Sequence, residues 1–353
     1  MVNKKIVIIG GGFTGALCAK KLEKDKNFQV TLIDNKPYFE YTPGILRTIL
    51  EPQHCQKIQR LHKEYLSHTA LITDKVIDVS TNYVQTKKKQ KVPYDYLIIA
   101  SGSNYALPIK ERSLIPAIRA KELAKYHNKL KKAKKVLIIG GGLVGVELAA
   151  EICTHYRDKN ITLVHSRDAL MERNHVKTQQ YAKKFLEKHN VRIIFNERVE
   201  KTDGQEGKRK HFVTNKGTNL HADMAFICVG ITPNYAFMLK NYKDTLNEKN
   251  QIQINEYLQL SGNVNIFVGG DVTSIAEEKT AQASKKHAGI IVKNIYNLEK
   301  NKPLLEYKTK KRPMVISLGK YGGIFENGNF IMTGKFPAFL KWLIEWRTMW
   351  QYG

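Results

Sequence analysis

The sequence is poor in acid. Its 353 residues carry 32 Asp and Glu against 58 Lys and Arg, a formal charge of +26. Such an excess draws anions, so nucleic acid, phosphate-bearing cofactors and acidic lipid are the partner classes to weigh. Cysteine is scarce as well. The four, Cys18, Cys55, Cys153 and Cys228, lie far apart, with no CxxC or CxxxxC pair and no histidine at metal-ligand spacing. Neither a dithiol centre nor a zinc site is encoded, and the chain suits a reducing compartment. No run of about 18 uninterrupted apolar residues occurs, which argues against a spanning helix. The opening MVNKKIVIIGGG passes from its first apolar stretch into glycine without a small-residue cleavage site, so no secretory signal is read there. At 42% hydrophobic and 25% charged, the composition fits a globular chain of two to three domains with ample core. It excludes a small stapled scaffold, a polytopic membrane protein and a wholly disordered one.

What is present is an internal repeat. Residues 4–22 (KKIVIIGGGFTGALCAKKL) and 134–152 (KKVLIIGGGLVGVELAAEI) align without a gap. Each begins with lysines and an apolar, β-branched run that reads as a buried parallel strand, then three glycines, then an amphipathic helix. Matching second strands follow at 30–33 (VTLI) and 161–164 (ITLV), which makes two copies of a βαβ unit. Each copy carries GxGxxG: Gly10, Gly12 and Gly15, then Gly140, Gly142 and Gly145. The first glycine allows the tight turn, the second lets the backbone approach a pyrophosphate, and the third lets helix and strand pack closely. The helix N-terminus then receives the phosphates. One such match is weak, but strand, loop, helix and second strand recur here in order, so both copies are expected to bind a dinucleotide.

The residue closing the second strand separates the two ligands. Asp34 follows Ile33 in the first copy, where a carboxylate would bond an adenosine ribose. In the second copy His165, Ser166 and Arg167 follow Val164, and they would tolerate a ribose 2′-phosphate that a carboxylate would repel. The second site is therefore expected to accept NADPH as well as NADH. The plainer reading of Arg167 is a solvated surface charge.

Further signals stand at fitting places. Residues 94–103 (YDYLIIASGS) and 222–234 (ADMAFICVGITPN) are apolar strands ending in small residues, and 265–272 (NIFVGGDV) sets Asp271 just after a buried strand. In this order the set resembles the flavoproteins with two dinucleotide-binding domains, over essentially the whole chain. The resemblance implies an α/β fold of tandem Rossmann-like domains, as in glutathione reductase. An FAD domain would span 1–110 and 250–302, with an NAD(P)H domain at 111–249 between them and a C-terminal segment at 303–353. FAD would meet Gly10, Gly12, Phe13, Gly15, Asp34, Lys36, Val76, Ala100, Ser101, Gly102, Gly270 and Asp271. NAD(P)H would meet Gly140, Gly142, Leu143, Gly145, His165, Arg167 and Gly230. No metal is implied.

Within that superfamily the disulfide reductases carry a cysteine pair shortly after the Asp-bearing strand, where this chain has 38–47 (YFEYTPGILR). That stretch resembles the aromatic-x-Pro segment of type II NADH:quinone oxidoreductases, which would put Pro43 against the flavin ring. Residues 145–151 (GVELAAE) are similar to a segment of that family and of the apoptosis-inducing-factor-like quinone reductases, the ferroptosis-suppressor type included. Glu147 would lie where nicotinamide meets flavin. The alternative is a carboxylate that merely complements the helix dipole. Residues 279–289 (KTAQASKKHAG) partly match the AQxAxQxG quinone-site motif, with Ala281 and Gln282 in agreement and Ser284, Lys286 and Ala288 departing from it. Gln282 is thus the candidate quinone contact. The implied activity is FAD-dependent NAD(P)H:quinone oxidoreduction, two electrons at a time, with no proton-pumping apparatus visible. A reductase of a small carrier such as ferredoxin or rubredoxin, and a redox-switched binding protein of the apoptosis-inducing-factor type, remain as alternatives.

All three tryptophans fall in one short stretch, at 342, 346 and 350. At 100° per residue Phe339, Leu343, Trp346 and Trp350 form one stripe, flanked by Trp342 and Met349, with Lys341, Glu345 and Thr348 facing away. Such a helix suits an anionic membrane surface, which would make the chain a peripheral protein of the cytoplasmic face. It could instead pack on the protein's own core or on a second copy in a homodimer. Eight Lys and Arg between Arg119 and Lys135, and another cluster at 308–312, add basic surface that acidic lipid would attract. No nucleic-acid reader motif is present, and aromatics do not interleave with the basic runs.

Overall fold

The computed structural model describes residues 3–105, 116–203 and 210–352. In the first unit the strands Ile266–Val268, Tyr96–Ile99, Lys4–Ile9, Phe28–Asp34 and Ala70–Thr73 lie side by side in that order, all parallel. The second unit repeats the plan with Arg192–Ile194, Asn160–Val164, Lys135–Ile139 and Met224–Ile227. The repeat holds down to register: Ile9 pairs with Ile33, and Ile139 with Val164. The apolar runs show no alternation because both faces are covered. Ile6 and Ile8 join one core cluster, while Val7 and Ile9 point the other way into a second with Phe237 and Met238.

Helices complete each unit. Phe13–Leu22 runs from the first glycine turn and packs on Ala281–Glu299, with the Thr14 hydroxyl donating to the Ser284 carbonyl at 3.1 Å. Leu143–His155 takes the same position in the second unit. The chain returns to the first sheet through Ile266–Val268, and this sets Gly270 and Asp271 beside the first glycine turn. A C-terminal antiparallel sheet (Met314–Leu318, Gly322–Asn327, Phe330–Thr333) and the helix Lys335–Trp350 follow. Among the described residues no helix is long and apolar enough to cross a membrane.

The tail helix is amphipathic in the inverse sense. Phe336, Phe339, Trp342, Trp346 and Trp350 are 52–71% exposed, while Thr348 and Met349 are buried and Lys341 and Glu345 reach into the body of the protein. Met349, which the helical period set beside the aromatic stripe, instead turns inward. The following Tyr352 is 1% exposed, stacked on Phe39 at 4.1 Å and edge-on to Tyr65 at 5.1 Å. The tail thereby ties into the first unit as well as the second.

The basic run from Arg119 is not wholly a solvated face. Arg119 is fully buried, its Nε 3.4 Å from Glu40 Oε1, and Gln59 donates to the same oxygen at 2.7 Å. Burial pushes the Glu40 carboxyl up, but the charges of Lys36 and Arg119 and the Gln59 hydrogen bond outweigh it and hold the group below its ordinary value. A depressed folded pKa gives stability that is present above the ordinary carboxyl pKa of about 4.3 and lost as pH falls through the folded value. Arg119→Met, which strands a buried carboxylate, should cost about 3–5 kcal/mol at pH 7 in urea unfolding. That cost should shrink on acidification, and Glu40→Gln in the same chain should restore part of it. An unchanged urea midpoint at pH 7 would contradict this account.

Candidate active site

Both glycine turns close on the same contact. A Cβ on Gly15 would stand 1.9 Å from the Gly10 carbonyl oxygen, and one on Gly145 1.9 Å from that of Gly140. Gly10 and Gly140 take φ of +95° and +111°, backs against Ala100 and Cys228. Gly12 and Gly142 differ: a Cβ there would meet nothing within 4 Å. The open side of each turn, at the N-termini of the helices starting at Phe13 and Leu143, is the cradle a pyrophosphate requires. The residues thus fit FAD and NAD(P)H by the shape of the cradle itself.

The strand-end residues reach these loops. Gly11 N–H donates to Asp34 Oδ2 at 2.9 Å, and Gly141 N–H donates to His165 Nδ1 at 3.0 Å. Lys36 N–H turns back to Asp34 Oδ1 at 3.3 Å, and its ammonium stands 5.0 Å over the Tyr38 ring. Phe13 packs edge-on against Phe39 and Tyr41, Leu143 opens its helix half-buried, and Val76 lies in the core at the start of an antiparallel strand. Arg167 is exposed. Gly102 and Gly230, after the strands Tyr96–Ile99 and Met224–Ile227, both have positive φ, at +66° and +67°. Ser101 Oγ donates to the Asn234 carbonyl at 2.8 Å and so links the two units, while Ser103 Oγ donates to Asp271 Oδ2 at 2.6 Å.

Behind Gly270 lies a buried cluster invisible to motif reading. Gly270 N–H donates to His287 Nδ1 at 2.9 Å, and His287 Nε2 lies 2.8 Å from Glu277 Oε1. The Tyr307 hydroxyl is 2.7 and 2.9 Å from the Glu277 oxygens and accepts from Arg312 at 2.9 Å. Burial would raise the Glu277 carboxyl, yet hydrogen bonds from His287 and Tyr307 hold it below its ordinary value. The cluster fixes the loop that carries Asp271. Its signal in the sequence is only a histidine within a helix and a glutamate ten positions before it.

Pro43 and Glu147 meet in one cleft, which is also lined by Arg47, Glu151, Lys341 and Trp342. Glu147 is 6% exposed, and its Oε1 accepts from Ser317 N–H at 2.8 Å and from Lys341 Nζ at 2.7 Å. This is more than a carboxylate complementing a helix dipole. Glu151, one turn on, accepts from Arg47 at 3.1 Å; burial nonetheless raises its pKa, against the pull of Arg47. Glu345 Oε1 lies 3.0 Å from His54 Nε2 on the Gly44 side. Gln282 stands elsewhere. It is exposed at the start of its helix, its Nε2 donating to the Pro313 carbonyl at 3.0 Å, and it is not among the residues lining the cleft of Pro43 and Glu147.

The cysteines offer no redox centre of their own. All four are buried and unpaired, and burial pushes the thiols up, Cys55 to about 11 and Cys153 and Cys228 to about 12. The thiolate needed for disulfide exchange is thereby disfavoured.

The chain belongs to the pyridine nucleotide-disulphide oxidoreductase family, whose model matches residues 4–288. It is an FAD-dependent NAD(P)H oxidoreductase of that class. Among curated relatives, apoptosis-inducing factor homolog B of Dictyostelium discoideum is 31% identical over 95% of this chain and 92% of its own. Human ferroptosis suppressor protein 1 is 28% identical over 92% and 89%. In fold the chain is similar to NDH2 of Plasmodium falciparum in complex with NADH, at a TM-score of 0.83, 16% identity and 99% and 96% coverage. A sulfide:quinone oxidoreductase from Aquifex aeolicus gives 0.82, 20%, 99% and 91%.

Glycine chemistry separates binding from folding in this site. Gly142 has φ of −71°, open to any residue, so Gly142→Val should leave the melting temperature within about 2 °C and weaken NAD(P)H binding about tenfold or more. Gly145→Val should cripple folding outright. Calorimetry beside a nucleotide titration checks both, and equal melting losses in the two variants would contradict the assignment.

Proposed function

We propose that the chain is a peripheral-membrane NAD(P)H:quinone oxidoreductase that passes two electrons per turnover and carries no pumping step. Bound FAD would supply the relay, accepting hydride from the nicotinamide and releasing the electrons to the acceptor. The first glycine turn with Asp34, Ser103 and Asp271 would hold FAD, and the second with His165 would hold NAD(P)H. Reduction of a quinone to a quinol needs one proton beyond the hydride. Lys341 Nζ, 2.7 Å from Glu147 Oε1, is a proton-bearing group at the cleft, and Glu147 is placed to accept from it. Pro43 closes the cleft from the first unit.

One observation carries the reading: Trp342 lines the cleft and is 52% exposed on the aromatic face of the tail helix. An apolar acceptor could move between lipid and cleft past a single side chain. Covering the five exposed aromatics, each already partly covered, offers on the order of 5 kcal/mol gross, enough for peripheral attachment. The structural neighbour named as a sulfide:quinone oxidoreductase supports the acceptor class. Gln282, held by Pro313, would serve at most the outer wall.

The inward face of the same helix carries Lys341, Thr348 and Met349, so the aromatics rather than the whole helix are the residues to replace. Combined Phe339→Ser, Trp346→Ser and Trp350→Ser should abolish flotation with liposomes of mixed neutral and acidic lipid. Turnover with a water-soluble quinone should stay within about twofold, because none of the three lines the cleft. Equal flotation would sink the membrane reading. NADH oxidation that runs faster with a ferredoxin than with any quinone would sink the acceptor.

A further inference from the structure

The two halves carry the same pair of groups in opposite order. In the first, Gly11 N–H meets the Asp34 carboxylate, and His62 Nε2 stands 3.3 Å behind it on Oδ2. In the second, Gly141 N–H meets the His165 imidazole, and Glu172 Oε2 stands 3.5 Å from its Nε2. The sequence of groups is thus loop, carboxylate, imidazole in one unit and loop, imidazole, carboxylate in the other. In both units the imidazole is the more buried member, His62 at 3% against 11% for Asp34 in the first. The His165 side chain is 9% exposed, whereas that of Glu172 is 43% exposed and open to a ligand.

The geometry assigns the tautomer of the neutral ring. His165 Nδ1 accepts a backbone N–H, so a neutral ring carries its proton on Nε2, facing Glu172. Glu172 is held in place by the turn before it, in which Met171 N–H donates to the Gly141 carbonyl at 2.9 Å and Met171 takes a φ of +49°. The loop therefore returns to the glycine turn by two routes, a backbone bond and an imidazole–carboxylate contact. The carboxylate that the strand end lacks is present, brought from seven positions further along the chain.

We infer that Glu172 is the residue that sets the choice between NADH and NADPH in this chain. The inference rests on the assignment of NAD(P)H to the second unit. A ribose 2′-hydroxyl can donate to the Glu172 carboxylate directly or beside the His165 ring. A 2′-phosphate brings like charge against it, and Arg167, exposed at the strand end, is the only cation between His165 and Glu172 in the sequence. His165 accommodates either group; Glu172 penalises one. Discrimination comes from the repulsive element, built one layer outside the usual position.

The test is equilibrium binding of NAD+ and NADP+ to the FAD-loaded protein by calorimetry, with no turnover involved. The unaltered chain should bind NAD+ more tightly. Glu172→Gln should tighten NADP+ by on the order of tenfold, the size of one partly screened charge pair, and move NAD+ by less than about threefold. His165→Asp, which copies the first unit, should weaken NADP+ by a similar factor. Glu172 is exposed enough that its replacement leaves the fold intact. An unchanged NADP+/NAD+ ratio in Glu172→Gln, with both nucleotides still binding, overturns the inference. Failure of the unaltered chain to bind either nucleotide would overturn the NAD(P)H assignment itself, and this inference with it.

Discussion

Two glycines in van der Waals conflict with any side chain decide where each helix starts. With a Cβ at Gly15 or Gly145 only 1.9 Å from a carbonyl oxygen, the helix could not begin directly on the end of its strand. Because it does begin there, free N–H groups and the positive end of the dipole face the open side at Gly12 and Gly142. Everything chemical in the molecule is arranged around those two cradles. The parallel sheets deliver Asp34 and His165 to the loops at equivalent register, and the strand Ile266–Val268 returns through the first sheet to bring Asp271 alongside. Duplication of one turn gives one chain two such cradles, and Ser101, donating to the Asn234 carbonyl, links the units that carry them.

The parts legible in the sequence are those encoded over short distances. Each copy of the βαβ unit, its glycine spacing, Asp34 and the helical aromatic stripe are legible within a short stretch of chain, and their physical causes are local. The remainder joins distant segments. Lys341 on Glu147, Arg119 on Glu40, His287 with Glu277 behind Gly270, and Glu172 on His165 depend on which elements pack together, and no spacing announces them. Arg119 illustrates the gap. Within a run of eight basic residues it reads as solvated, yet it is fully buried against a carboxylate. Gln282 is the opposite case: the partial motif match identifies the residue but not its surroundings, because the amide finds a carbonyl at Pro313.

The tail helix serves both the cleft and the exterior. In a helix that served only the protein's own core, the aromatic face would turn inward and the polar face outward. Here the polar face turns in, where Lys341 and Glu345 complete the cleft, and the aromatic face is left outside. The same sixteen residues therefore supply a wall to the site and an apolar surface to the exterior. Part of the +26 charge fits this arrangement, since phosphate-bearing cofactors and acidic lipid are both drawn to a basic surface.

In the proposed reaction electrons run from NAD(P)H through FAD to a quinone at the cleft of Pro43 and Glu147. The absorption spectrum of the purified protein, titrated without oxygen first with NADH and then with a quinone, tests it most directly. The account predicts a yellow protein that bleaches with one equivalent of NADH and regains its colour with one equivalent of quinone. A colourless preparation that takes up no FAD, or a bleached flavin that quinone leaves bleached, would contradict it.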